Sequence, residues 1–202
     1  MTNPYDPIFE RSVTDPEGFW GMQASRLEWF APFQKVMDTN MGEVAFSWFL
    51  QGKLNACYNC VDRHAQTQPD KTALIWSANT PGQYQHISYR QLLREVCRVA
   101  NVLKAAGVRK GDRVCVYMPM IPETAFAMLA CARIGAIHSV VFGGFSAHEL
   151  AIRIDDAKPK VILTASAGIE ITKVVPYKPL VDEGIIEASH KVSNVVVLQR
   201  PV

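Results

Sequence analysis

Short apolar runs punctuate the second half of the chain. Residues 113–117, 136–141, 160–164 and 192–198 are mostly apolar and bounded by Gly, Pro, Asp or Lys, so each reads as a buried strand. The segments between them read as helices. Pro122 opens one whose Ala-Phe-Ala-Met-Leu-Ala-Cys-Ala run is apolar all round, as in a helix covered on several sides, and Gly135 ends it. Ser146-Ala-His-Glu149 matches a capping box and starts a helix to about Asp156, and Leu180 to Ala188 reads as a further helix. Strand, helix and strand in alternation predict right-handed crossovers and a parallel sheet.

Upstream, Ser88-Tyr-Arg-Gln91 is another capping box. It begins a helix with Leu92, Leu93, Val96, Val99, Ala100 and Leu103 on one face, ending at Gly107. Thr72–Trp76 and Tyr84–Ile87 read as a hairpin across Asn79-Thr80-Pro81-Gly82. Residues 53–68 read as a helix with Leu54, Cys57, Tyr58, Val61 and Ala65 on one face. Residues 1–52 differ. Asp15-Pro16-Glu17 is a helix start, and the helix is expected to run to about Trp29. Trp20, Trp29 and Trp48, three of the four tryptophans, lie here, so this short aromatic segment is expected to pack on a larger domain. Residues 165–179 read as looser chain.

The chain has 202 residues, 49% hydrophobic and 20% charged, which is the composition of a globular protein. A net charge of +2 argues against a dedicated nucleic-acid or membrane-surface binder. No apolar run reaches the roughly 18 residues that span a bilayer. The first ten residues carry Asp6 and Glu10 and fit neither a secretory signal nor an Arg-rich transit peptide. Five cysteines, mostly inside apolar patterns, suit a reduced, cytoplasmic compartment.

A parallel sheet sends its outgoing loops to one edge, where open α/β sheets bind ligands. Residues 117–122, 140–146 and 164–173 are expected there. Phe142-Gly143-Gly144 has two readings: a backbone that lets a ligand approach, or a tight turn that needs glycine for its dihedrals. It is neither a dinucleotide fingerprint nor a P-loop. Lys173 and Lys178 could face an anionic ligand from the neighbouring loop, or could simply be solvated. Cys57 and Cys60 read as two small core residues, because no second pair stands at zinc spacing. The five histidines show no ligand spacing, and His138 reads as a core histidine. Arg90, Arg94 and Arg98 form a solvated helix stripe. No catalytic residue and no metal site is assigned.

Three blocks are similar to a known family. They are Lys53-Leu-Asn-Ala-Cys-Tyr-Asn-Cys-Val-Asp-Arg-His64, Tyr117-Met-Pro-Met-Ile-Pro-Glu123 and Met128-Leu-Ala-Cys-Ala-Arg-Ile-Gly-Ala-Ile-His-Ser-Val-Val-Phe-Gly-Gly-Phe-Ser146. They resemble the AMP-forming acetate–CoA and propionate–CoA ligases of the adenylate-forming superfamily, over the whole chain from about Asp15. The resemblance implies an α/β fold: a partial doubly wound, mostly parallel sheet with flanking helices, preceded by a small helical, aromatic-rich cap. It implies a cap over residues 1–58 and the first part of the AMP-binding domain over 59–202. It implies coenzyme A as co-substrate, met by Glu170, Ile171, Thr172 and Lys173 with Phe142, Gly143 and Gly144 beside them. Acetate ligases commonly carry arginines where this chain has Glu170 and Lys173, and the loop through Leu180 is more similar to the propionate branch. ATP, Mg and a short-chain carboxylate are implied partners of the parent enzyme. Its phosphate loop, adenine pocket, ribose contact and catalytic lysine are expected beyond position 202. The chain is thus expected to be inactive alone. An alternative is a truncated, non-catalytic CoA-binding or regulatory module.

Overall fold

The computed structural model describes residues 3–79, 81–170 and 173–201. The chain divides into two compact units, Met1–Asn55 and Ala56–Val202.

The first unit begins with two helices, α1 (Asp6–Thr14) and α2 (Pro16–Ala24). Asp15 caps α2 by accepting the Gly18 N–H at 3.1 Å. The helix stops at Ala24, short of Trp29, because the Trp29 indole N–H donates to the Ala24 carbonyl at 2.9 Å. That bond satisfies one of the orphan acceptors of the last turn. The chain then forms an antiparallel hairpin, β1 (Lys35–Asn40) and β2 (Ala45–Leu50), which the sequence reading left out. Trp29, Phe33 and Phe49 hold the unit together, with ring centroids 5.1–5.5 Å apart.

The second unit starts with a helix that is π-helical over Tyr58–Asp62 and continues as α3 (Arg63–Thr67). The π turn places Cys57 fully inside and leaves Cys60 exposed, so Cys60 is not the core residue expected of it. The hairpin β3 (Thr72–Ser77) and β4 (Tyr84–Ser88) is antiparallel as expected. Both halves of the Ser88–Gln91 capping box are made at the start of α4 (Tyr89–Ala105).

Then come β5 (Arg113–Tyr117), α5 (Pro122–Ile134), β6 (Ile137–Val140), α6 (Ala147–Ala157) and β7 (Val161–Ala165). Gly135 closes α5 at φ 75°, which an L side chain resists, and Ala136 then donates back to Cys131. Within residues 165–179, expected as loose chain, two short strands pair antiparallel, β8 (Gly168–Glu170) and β9 (Lys173–Val175). Helix α7 (Tyr177–Glu187) starts three residues before the expected Leu180, and β10 (Asn194–Leu198) ends the fold. Pro179 lies in the first turn of α7, where its missing N–H costs nothing, so it does not delay the helix.

Strand order in the main sheet is β10-β7-β5-β6, all parallel. The faces are read by alternation. Val114, Val116, Val161 and Leu163 pack with Leu92, Val96, Leu103, Phe126 and Ala130 of α4 and α5. Cys115, Tyr117 and Ile162 pack with Leu150, Ile154, Tyr177 and Val181 of α6 and α7. Each side chain buried this way stabilises by about 1.5–3 kcal/mol. The sheet is therefore doubly wound, with helices on both faces. Every residue of α5 is buried or half-buried, as its all-round apolar surface requires. His138 is exposed rather than a core residue, because β6 is an edge strand with only Ser139 half-buried.

Candidate functional site

Chain order around β5 reverses: β6 lies on one side of it and β7 on the other. The loops after β5 and β7 therefore open at the switch point of the sheet, the usual ligand crevice of such folds. Three segments meet there. The Tyr117 hydroxyl, at the end of β5, donates to the Phe145 carbonyl at 2.7 Å and lies 3.4 Å from the Gly143 carbonyl. The Lys178 N–H donates to Ser166 at 3.3 Å, tying the start of α7 to the end of β7. The Tyr117 and Tyr177 rings lie 5.1 Å apart.

The β3–β4 hairpin reaches the same edge. Trp76 donates its indole N–H to the Met120 carbonyl at 2.9 Å, and the Asn79 amide donates to the Ile169 carbonyl at 2.6 Å. Arg200, just past β10, donates its backbone N–H to the Ser166 hydroxyl at 2.9 Å and its Nη1 to the Ala167 carbonyl at 3.1 Å. A cavity of about 140 Å³ lies among these groups, lined by Trp76, Asn79, Gln83, Met120, Ile169 and Arg200.

Phe142 is 70% exposed, Gly144 is exposed and Gly143 is half-buried. Neither glycine has a positive φ, so the tight-turn reading on dihedral grounds fails. Gly143 is instead a place where the Tyr177 ring comes too close for any side chain. Ser146 caps α6 by accepting the Glu149 N–H at 3.3 Å. Lys173 is exposed at the start of β9. Glu170 is its register partner across the β8–β9 hairpin. Ile171 and Thr172 lie outside the described residues. Of the two readings of Lys178 the structure shows an exposed ion pair, with both Asp182 oxygens 2.6 Å from its ammonium. The arginine stripe is paired in the open: Arg90 with Asp70, Arg94 and Arg98 with Glu95.

The sequence reading missed Trp76, Asn79, Tyr177 and Arg200. Only Tyr177 carried a usable signal: Pro-Tyr-Lys-Pro is a helix opening, which would have put Tyr177 at the sheet edge. The other three act from a hairpin and a strand end distant in sequence. Three of the five cysteines, Cys57, Cys115 and Cys131, are buried and offer no nucleophile. Burial pushes the Cys115 and Cys131 thiols up to about 12, and burial also raises Cys57. Among the described residues no cluster of His, Cys, Asp or Glu could hold a metal ion. No helix among them is long and apolar enough to cross a membrane.

The AMP-binding enzyme family matches residues 61–200, and the acetyl-coenzyme A synthetase N-terminus matches residues 5–60. The chain belongs to the AMP-binding enzyme family. It is 50% identical over 199 residues to an acetyl-coenzyme A synthetase of Methylorubrum extorquens, covering 97% of this chain and 30% of that protein. It is 51% identical over 185 residues to one from Desulfatibacillum aliphaticivorans, covering 91% of this chain and 29% of the relative. The solved acetoacetyl-CoA synthetase from Streptomyces lividans superposes with a TM-score of 0.85 at 25% identity, over 98% of this chain and 32% of that one. The chain thus spans about a third of the length of the family members it matches.

Proposed function

We propose that this chain is the N-terminal part of an ATP-dependent, AMP-forming ligase that joins a short-chain carboxylate to coenzyme A in the cytoplasm. In such a reaction the acid and ATP give an acyl-adenylate and pyrophosphate, and the thiol of coenzyme A then displaces AMP. ATP and Mg supply the activation and would be held by residues outside this chain. The residues here would bind and orient coenzyme A. Lys173, an exposed cation, would meet a phosphate. Phe142, Gly143 and Gly144 would lie along the carrier, with Glu170, Ile171 and Thr172 completing the loop. The observation that supports this reading is that Gly143 and Gly168 both close on the Tyr177 side chain, beside the carboxyl end of a sheet in a family-matched chain.

The test is the native polypeptide. Its intact mass is expected near three times 22.5 kDa. Given ATP, Mg and coenzyme A, it should form acyl-CoA from acetate or propionate, resolved by chromatography. Acetate leads on the relatives' names, and propionate stands beside it because Glu170 replaces a customary arginine. Lys173→Glu should raise the KM for coenzyme A about tenfold and leave the KM for ATP alone. The 202-residue chain by itself should form no acyl-adenylate, because phosphate activation needs positioned donors and metal. Turnover by the chain alone, or an unchanged KM in Lys173→Glu, refutes this reading.

A second reading is a non-catalytic CoA-binding module. It draws support from the two cores, which cover both faces of the sheet within residues 56–202. A native mass of 22.5 kDa with CoA binding and no turnover would favour it.

A further inference from the structure

The Gly143-Gly144 loop and the 168–175 hairpin are both fitted to one side chain that belongs to neither. Tyr177 is 2% exposed at the first position of α7. A Cβ placed on Gly143 would run into the Tyr177 hydroxyl and lie 2.9 Å from Cζ and 3.0 Å from Cε1. A Cβ placed on Gly168 would lie 2.8 Å from Cε2 of the same ring and 2.9 Å from Cβ of Pro119. Neither glycine has a positive φ, so glycine at both places makes room rather than a turn. The two backbones therefore close on different parts of one phenol group: Gly143 meets its hydroxyl end and Gly168 its Cε2 edge. Tyr117 backs the ring at 5.1 Å and holds the 143–145 carbonyls through its own hydroxyl.

We propose that Tyr177 is a positioning residue that sets the gap between the Gly143-Gly144 loop and the hairpin carrying Lys173, and thereby tunes affinity for coenzyme A. The ligand named here rests on the proposed function. The physical basis is that a buried aromatic ring is rigid and incompressible, so its width is transmitted to both backbones. Shortening it lets both backbones relax, and a displacement of about 1 Å at a binding site is costly.

The test uses the native polypeptide with Tyr177→Leu, Tyr177→Phe, Gly143→Ala and the double variant Gly143→Ala/Tyr177→Leu. Backbone amide exchange and the KM values for coenzyme A and ATP are measured on each. Tyr177→Leu should quicken exchange in residues 142–146 and in residues 168–170 and 173–175 together. It should also raise the KM for coenzyme A about tenfold while the KM for ATP holds. Tyr177→Phe keeps the ring against Gly168 but removes the hydroxyl set against Gly143, so it should quicken exchange in residues 142–146 alone and raise the KM for coenzyme A less than Tyr177→Leu does. Gly143→Ala should weaken coenzyme A binding, and adding Tyr177→Leu should restore part of it. Exchange that quickens in only one segment of Tyr177→Leu overturns the spacer, as does a double variant no better than Gly143→Ala. Both segments loosening with an unchanged KM for coenzyme A overturns the ligand assignment and leaves the spacer standing.

Discussion

Arg133 and Asp62 form the ion pair whose removal should cost most. Arg133 Nη1 lies 2.8 and 2.7 Å from the two Asp62 oxygens and 3.8 Å from Cys57 Sγ. The Asp62 side chain is only 13% exposed and Arg133 31%. The pair joins the π-helical turn at the start of the second unit to the last turn of α5. Removing one partner of a fully buried pair costs about 3–5 kcal/mol, because a charge stays behind unpaired. The exposed third of the Arg133 side chain admits water to the pair, which lowers the expected cost of Arg133→Leu to about 2–3 kcal/mol. With a urea slope near 2 kcal/mol/M, the midpoint should fall by roughly 1–1.5 M. Asp62→Leu added to Arg133→Leu should recover most of the loss, since replacing both charges by apolar groups is often nearly neutral. The assay is urea unfolding of the four-member cycle followed by far-UV circular dichroism at pH 7. A loss under about 0.5 kcal/mol in Arg133→Leu, or a double variant as unstable as the single, refutes the argument.

Three further outcomes follow from the same structure. At pH 7.5 a thiol alkylating agent should label Cys60 first, while Cys115 and Cys131, pushed up to about 12 by burial, should react only after unfolding; equal rates by mass spectrometry would contradict this. The His190 backbone N–H, then that of Ser189, holds the Asp155 carboxyl below its ordinary 3.8, and the Arg109 N–H does the same for Asp112. A lowered folded-state value gives stability that is present above pH 3.8 and lost as pH falls through the lowered value, so Asp155→Ala should flatten the fall in melting temperature between about pH 5 and 2. Trp76→Phe removes the 2.9 Å bond to the Met120 carbonyl, and should cost about 1 kcal/mol and quicken amide exchange near residue 120; unchanged exchange there would show that the hairpin does not hold the loop.

The parallel core was legible because its signal is local. Residues 113–117 are a run of apolar character with a turn on each side, and they form β5 over those same residues. The two Ser caps likewise speak through their own neighbours. What escaped was set by partners far along the chain. The helix near Trp20 ends at Ala24 because an indole five residues on reaches back to it. Residues 168–175 look loose in sequence, since three-residue strands show no period, yet they pair in register. His138 carries the same apolar neighbours as a core residue, and only the strand order decides that it lies at an edge.

The block from Met128 to Ser146 carries the most specific family signature, and its residues do two kinds of work. Ala130, Cys131 and Ala136 are buried in the core beneath the sheet, and Arg133 holds Asp62 from another signature block. These residues keep the sheet at its distance from the π-helical turn and touch no ligand crevice. Gly143 and Gly144, ten residues on, lie at the carboxyl edge. Specificity of a motif therefore measures how tightly its positions are constrained, not which constraint acts. Gly143 shows this most sharply. In sequence it reads as a ligand contact or a turn; in the fold its lack of a side chain is required by Tyr177. The same absence that admits the tyrosine ring from inside leaves the outer face of the backbone bare. The packing role is visible in the fold and the binding role is the proposed one, both on one residue, which is why Gly143→Ala must be read with and without its partner.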